Sequence, residues 1–297
     1  MTLKPDALKD FLAGSGRFAI VEVARTRGST PRETGTIMLV SPTGTHGTIG
    51  GGQLEYMAID KARQMLSPRA RSGNNATSHI EAEEVCATLD IPLGPEIGQC
   101  CGGRVEVLIR MGTPVITEEL LRKAEGEEVR RPHLYIFGGG HVGHAMAASC
   151  ALMPVRTIVV DTRAEAFDGL TQGIETRLAA MPEQLVREAP AGSAFAVLTH
   201  DHALDFLIVA EALRRTDASY VGMIGSGTKK ATFRSWFLKT AAGTEAEFAR
   251  LVSPIGGETV KDKRPAVIAA LAAAEIMTAL AHCSSGIGAC DRPRVAG

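Results

Sequence analysis

A chain of 297 residues suggests two domains of ordinary size rather than one. Its 45% hydrophobic and 22% charged residues are usual for a globular protein and exclude intrinsic disorder and collagen-like structure. A net charge of -1, with aromatic residues at only 4%, leaves no basic footprint for nucleic acid or an anionic membrane and few rings for base stacking.

Glycine is the anomaly: 32 residues exceed the usual share of roughly 7%, and they are clustered. The N-terminus meets Asp10 without a long apolar core, so no secretory signal is expected. Ala266 to Ala281 is short for a membrane span, contains Glu275, and reads as a packed helix. Cys86, Cys100, Cys101, Cys150, Cys283 and Cys290 are too irregularly spaced for a secreted disulfide framework. A reducing cytoplasm is therefore expected, where the Asn75-Ala76-Thr77 glycosylation pattern has no consequence.

In chain order, Arg17 to Arg25 alternates apolar and polar residues as a half-buried strand does. Gly35 to Ser41 is a second strand, followed by a turn at Pro42 to Thr45. Gly47 to Gly52 leads into a helix over Gln53 to Leu66, so Gly50, Gly51, Gly52 and Gln53 form a corner able to present amides to an anion. Ser29 to Arg32 adds a turn with a cation. Ser67 to Ser78 reads as an exposed loop. Gly98-Gln99-Cys100-Cys101-Gly102-Gly103 precedes a strand over Arg104 to Arg110. Its paired thiols suit either a soft ligand or a tight turn with buried sulfur. Met111 to Pro132 is the expected boundary between a small mixed α+β domain, about 1–115, and a second domain, about 130–297.

The second domain opens on an apolar strand, His133 to Phe137. Gly138-Gly139-Gly140-His141-Val142-Gly143 and a helix to about Leu152 follow. Apolar strands at Val155 to Val160, Ala194 to Leu198 and Tyr220 to Ile224 alternate with helices, which predicts a doubly wound parallel sheet of the Rossmann-like α/β class. In that context Gly138 serves the tight turn, Gly140 the close approach of a phosphate, and Gly143 helix-on-strand packing. Asp161 ends the next strand, where a ribose-binding carboxylate belongs. Either the loop holds NAD(P), or the domain keeps the shape without the ligand. His141, His144, His200 and His202 lie near strand ends with no zinc-like spacing. Capping and packing are expected first, ligand contact by His141 or His200 second.

Taken together, these segments resemble the XdhC family, the xanthine dehydrogenase accessory proteins. The matching stretches are Arg27 to Arg32 (RGSTPR), Gly47 to Glu55 (GTIGGGQLE), Gly98 to Val105 (GQCCGGRV), Tyr135 to Gly143 (YIFGGGHVG), Thr199 to Asp205 (THDHALD), Tyr220 to Lys230 (YVGMIGSGTKK) and Ser253 to Gly256 (SPIG). Gly257 to Arg264 departs from the broader family. The resemblance implies a CoxI-like N-terminal domain and a non-catalytic protein that binds the molybdenum cofactor (molybdopterin). It implies help with sulfuration from a cysteine desulfurase and delivery to the molybdenum subunit of xanthine dehydrogenase. The residues it points to are Gly50 to Gln53, Gln99, Cys100, Cys101, Gly102 and Gly103, with the Gly138, Gly140, His141 and Gly143 loop, Asp161 and His200, around a cofactor between the domains. Cys100 and Cys101 are the expected contacts to molybdenum or sulfur. An NAD(P)-dependent oxidoreductase is the rival. No nucleic acid or membrane partner is expected, and the helix from Pro265 to His282 suits either a core or a homodimer interface.

Overall fold

The computed structural model describes residues 5–67, 86–95, 102–257 and 259–284. The chain divides into two compact units, Met1–Arg130 and Arg131–Gly297. Gln99, Cys100, Cys101, Cys290 and the Asn75 to Thr77 pattern lie outside the described residues.

The first unit comprises α1 (Pro5–Ser15), β1 (Ala19–Arg27), β2 (Ile37–Val40), β3 (Thr45–Gly47), α2 (Gly52–Leu66), β4 (Cys86–Pro92), β5 (Arg104–Met111) and α3 (Pro114–Val129). Its strands form one antiparallel sheet in the order β3-β2-β1-β5-β4. Alternation along β1 sends Ala19, Val21 and Val23 to one face, against Leu54, Ala58 and Ala62 of α2. Ile20 goes to the other face, with Leu8 of α1 and Ile116, Leu120 and Ala124 of α3. The strand predicted as half-buried is thus covered on both sides over its first half. The same packing carries the first unit to Arg130, inside the segment Met111 to Pro132 expected to hold the boundary. The charged stretch forms α3, which spaces its three apolar residues along one stripe and lays them on the sheet. Pro114 begins the helix, and the Thr113 hydroxyl caps it by accepting from the Ile116 amide at 3.3 Å.

The second unit runs β6 (His133–Phe137), α4 (His141–Cys150), β7 (Arg156–Asp161), β8 (Glu175–Leu178), α5 (Pro182–Glu188), β9 (Ala194–Val197), α6 (His202–Arg214), β10 (Tyr220–Met223), α7 (Gly227–Lys239), α8 (Glu245–Phe248), β11 (Leu251–Val252) and α9 (Pro265–Ser284). All neighbouring strands pair in parallel, in the order β11-β10-β9-β6-β7-β8. This is the doubly wound Rossmann order, with the first strand, β6, at the centre. Leu134 and Ile136 of β6 pack with Met146 and Ala147 of α4 and Ala269, Ala272 and Ile276 of α9. Phe137 faces the opposite layer, with Ile208 of α6 and Phe233 of α7. Among the described residues α9 is long and apolar enough to cross a membrane by length and composition, and it supplies this core stripe.

Candidate functional site

The loop after β6 divides its labour among glycines. Gly138 has φ +118°, and a Cβ there would lie 2.6 Å from the Leu198 carbonyl oxygen. A Cβ on Gly143 would lie 1.9 Å from the Gly138 carbonyl oxygen, so the first turn of α4 rests directly on the loop. Gly140 differs: with φ -81° it caps α4 without a side-chain bond, and a Cβ would meet nothing within 4 Å. Turn, packing and open approach therefore fall on the residues expected for them, and the open one stands at a helix N-terminus that favours an anion.

Asp161, at the carboxyl end of β7, is buried and closes the loop from the other side. Its Oδ2 accepts the Gly139 amide at 2.8 Å and its Oδ1 the Arg163 amide at 3.0 Å. The Arg163 guanidinium adds a contact at 3.2 Å. Burial pushes the Asp161 carboxyl up, but the Arg163 side chain and the Gly139 and Arg163 amides outweigh it and hold the group below the usual carboxylate range. Beside it lies a small cleft lined by Phe137, Val160, Asp161, Thr162, Pro182, Thr199, His200 and Leu204. It opens past the carboxyl ends of β6, β7 and β9, where the chain order reverses and ligands of such sheets sit.

The four histidines do not share this cleft. His200 lines it. His141 is the exposed first residue of α4, and His202 the exposed first residue of α6. The His144 Nε2 donates to the Ala166 carbonyl at 2.9 Å, pinning the turn after β7 to α4. Among the described residues no group of three or more His, Cys, Asp or Glu is placed to hold a metal ion.

A buried ion pair that sequence reasoning missed supports the His200 loop. Lys229 Nζ donates to Asp205 Oδ2 and, at 3.0 Å, to the Ile224 carbonyl. Asp205 Oδ1 accepts the Thr199 amide at 3.1 Å and the Thr199 hydroxyl at 2.6 Å. The pair thus ties the loop after β9 to the end of β10. Its one-dimensional signal is faint: a carboxylate inside the apolar run of α6, and a lysine one turn into α7.

In the first unit, β1 and β5 pair Arg27 with Arg104, which brings the glycine turn after Arg27 beside the glycines that precede Arg104. A Cβ on Gly103 would lie 2.1 Å from the Ser29 carbonyl oxygen, and one on Gly50 would lie 2.6 Å from Pro31 Cγ. The RGSTPR turn is therefore packed between the GGG corner and the glycines that follow Cys101. Gly51 (φ +78°) and Gly102 (φ +67°) face open space. The corner expected to offer its amides to an outside anion has an internal one. Glu55 Oε2 accepts the Ile49 amide at 3.1 Å, the Gly51 amide at 3.0 Å and the Thr48 hydroxyl at 2.5 Å. A carboxylate in the first turn of α2 reaches back to fill the nest, because the helix N-terminus attracts negative charge from its own chain first. Half-buried Arg32, against Gly50, has no carboxylate partner among the described residues.

The described cysteines are isolated and free. Burial pushes the Cys150 thiol up to about 11, so it stays protonated and unreactive. Iodoacetamide at mildly alkaline pH, read by peptide mass spectrometry, is expected to label exposed Cys86 and Cys283 and to spare Cys150 until the chain is unfolded. Native labelling of Cys150 at the Cys86 rate would contradict this assignment.

The model of the XdhC Rossmann domain matches residues 134–276. The model of the XdhC and CoxI family matches residues 11–73. The chain belongs to the XdhC family. The XdhC Rossmann match contains Gly138, Gly140, Gly143, Asp161, His200, Asp205 and Lys229. The XdhC and CoxI match contains RGSTPR and GTIGGGQLE, while the double cysteine lies between the two matched spans. The uncharacterized protein YqeB of Escherichia coli strain K12 is 26% identical over 290 residues, covering 91% of this chain and 45% of that protein. The chain thus spans about half the length of this curated relative. A crystal structure described as a xanthine dehydrogenase from Bacillus halodurans has the same fold, with TM-score 0.74 at 16% identity, covering 97% of this chain and 98% of that one. XdhC membership supports a role as an accessory protein.

Proposed function

We propose that this XdhC-family protein carries the molybdenum cofactor as cargo. In this reading it shields the cofactor in a reducing cytoplasm, supports its sulfuration with a cysteine desulfurase, and passes it to the molybdenum subunit of apo xanthine dehydrogenase without catalysing a reaction itself. The observation that carries the reading is the meeting of three glycine turns in the first unit, at the strand end that follows Cys100 and Cys101. Gly51 and Gly102 leave backbone open to a flat ligand, Arg32 supplies a cation suited to a phosphate, and the paired thiols suit a soft metal. Glu55 takes the inner amides of the GGG corner, which makes Gly50 to Gln53 a shaped wall more than an anion hole. The oxidoreductase alternative rests on the second unit's cleft. There Asp161 is committed to three donor groups, and His200 is the other lining side chain able to move a proton. This composition suits binding better than acid–base work.

The test is anaerobic mixing of the purified protein with molybdenum cofactor, desalting, and measurement of molybdenum and pterin retained per chain. Near-stoichiometric retention is expected, with loss in a Cys100→Ser/Cys101→Ser variant. No retention by the wild type would overturn the carrier reading, and retention undiminished in the variant would remove the thiols from the site.

A further inference from the structure

Two motifs of the second unit are not used by the carrier reading: GSGTKK, over 225–230, and SPIG, over 253–256. The fold brings them together. β10 and β11 run parallel and side by side, pairing Gly222 with Val252, so both motifs leave the carboxyl edge of the sheet at the same place. Lys230 spans them, its Nζ donating to the Ser253 carbonyl at 3.0 Å. The turn before α7 presents its backbone outward. Lys229 Nζ donates to the Ile224 carbonyl at 3.0 Å, and the lysine stem packs over Gly225, where a Cβ would lie 2.6 Å from Lys229 Cδ. Ser226 caps the helix by accepting the Lys229 amide. Gly227 and Thr228 follow, both exposed, and their amides have no acceptor among the described residues. A Cβ on Gly227 would meet nothing within 4 Å.

A helix N-terminus of this kind favours an anion, and a second group points to one. Ser253 is only 7% exposed, and its hydroxyl has no hydrogen-bond partner, which costs stability unless a ligand answers it. The direction of that hydroxyl follows from β11. Leu251 packs with Phe233 and Phe237 of α7, Val252 packs in the opposite layer with α9, and alternation returns Ser253 to the side of α7.

We infer that the carboxyl ends of β10 and β11 hold the terminal phosphate of a small molecule, a phosphate monoester. The Gly227 and Thr228 amides and the Ser226 hydroxyl take it at the helix end. Lys230 supplies the cation with the ammonium protons that Ser253 does not use, and the Ser253 hydroxyl donates from beneath. So many donors suit the three terminal oxygens of a monoester dianion better than the two oxygens of a carboxylate or a diester. Asp205, the carboxylate tied to this turn, is neutralised by Lys229 and does not repel the ligand. The site is one of binding, with no group-transfer step. It lies apart from the loop after β6, and it does not rest on the carrier reading, since its residues all lie in the second unit.

The test titrates the full chain by calorimetry with inorganic phosphate, glycerol 3-phosphate and the diester glycerophosphocholine. The first two are expected to bind saturably, and the diester about tenfold or more weakly. Gly227→Pro removes one amide hydrogen and little else. The first helical position accepts proline, and Ser226, at φ -77° and ψ 164°, already has the extended backbone that a following proline requires. A circular dichroism melt is expected to show this variant folded, with phosphate affinity lowered by about tenfold. Ser253→Ala deletes a buried hydroxyl without a partner, so its melting temperature should hold or rise while phosphate affinity falls by about fivefold or more, a combination that a purely structural serine would not give. Absence of saturable binding of both monoanionic-ester probes, inorganic phosphate and glycerol 3-phosphate, by the wild type at about 10 mM would overturn the site. Unchanged affinity in folded Gly227→Pro or in Ser253→Ala would overturn it too, and preference for the diester would overturn the choice of a terminal phosphate. Molybdenum retention is read separately, at the double cysteine, so either proposal can fail alone.

Discussion

Lys229→Met is expected to destabilise the second unit by about 3–5 kcal/mol, because it leaves a carboxylate buried without its cation. Asp205 is 0% exposed, and no solvent can replace the lost Lys229 ammonium. The double variant Asp205→Leu/Lys229→Met removes both charges and should recover part of the loss. Recovery stays incomplete because the Thr199 amide and hydroxyl lose their acceptor, at about 1–3 kcal/mol for a buried donor left unmade. The one tryptophan, Trp236 on α7, packs against Phe206 and Phe233, so its fluorescence during denaturant unfolding reports this unit selectively. A double variant as unstable as Lys229→Met, or a single variant with the wild-type midpoint, would show that the pair is not what holds these loops.

Gly143→Ala is expected to be as damaging as a much larger change elsewhere, at about 3 kcal/mol. The added Cβ would sit 1.9 Å from the Gly138 carbonyl oxygen, and a backbone atom in a loop fixed by Asp161 and Leu198 has nowhere to move. Gly140→Ala, three residues earlier in the same motif, enters open space at φ -81° and should change stability by less than about 1 kcal/mol. Urea midpoints for the two variants, again by Trp236 fluorescence, check the contrast. Equal midpoints would mean that α4 does not rest on the loop as described. The pair of results also separates a glycine that packing requires from one that faces open space, a distinction that the motif alone does not make.

The elements most legible in the sequence were those whose pattern is local. Central parallel strands are buried on both faces, so β6, β7, β9 and β10 appear as short apolar runs whatever surrounds them. β8 (ETRL) is a largely exposed edge strand and β11 is two residues long, so neither carries such a run. α3 was less legible because its buried residues, Ile116, Leu120 and Ala124, with Leu121 partly buried beside them, are set among many charged ones.

The site divides in the same way. The tight turn at Gly138, the close packing at Gly143 and the carboxylate of Asp161 at the end of β7 were readable because they follow from residue type and spacing along one β-α-β unit. Glu55 was not, because what an amide nest binds depends on which carboxylate reaches it, and here the donors and acceptor share one short loop. The Asp205–Lys229 pair joins residues 24 apart, on two helices that meet only once β9 and β10 lie side by side. Residue chemistry and local periodicity by themselves determined a two-part chain, a Rossmann-like second half and a set of glycine turns. The strand order and the division of the four histidines were decided by tertiary packing alone. Each depends on contacts between segments distant in the chain, and spacing along the backbone carries no record of them.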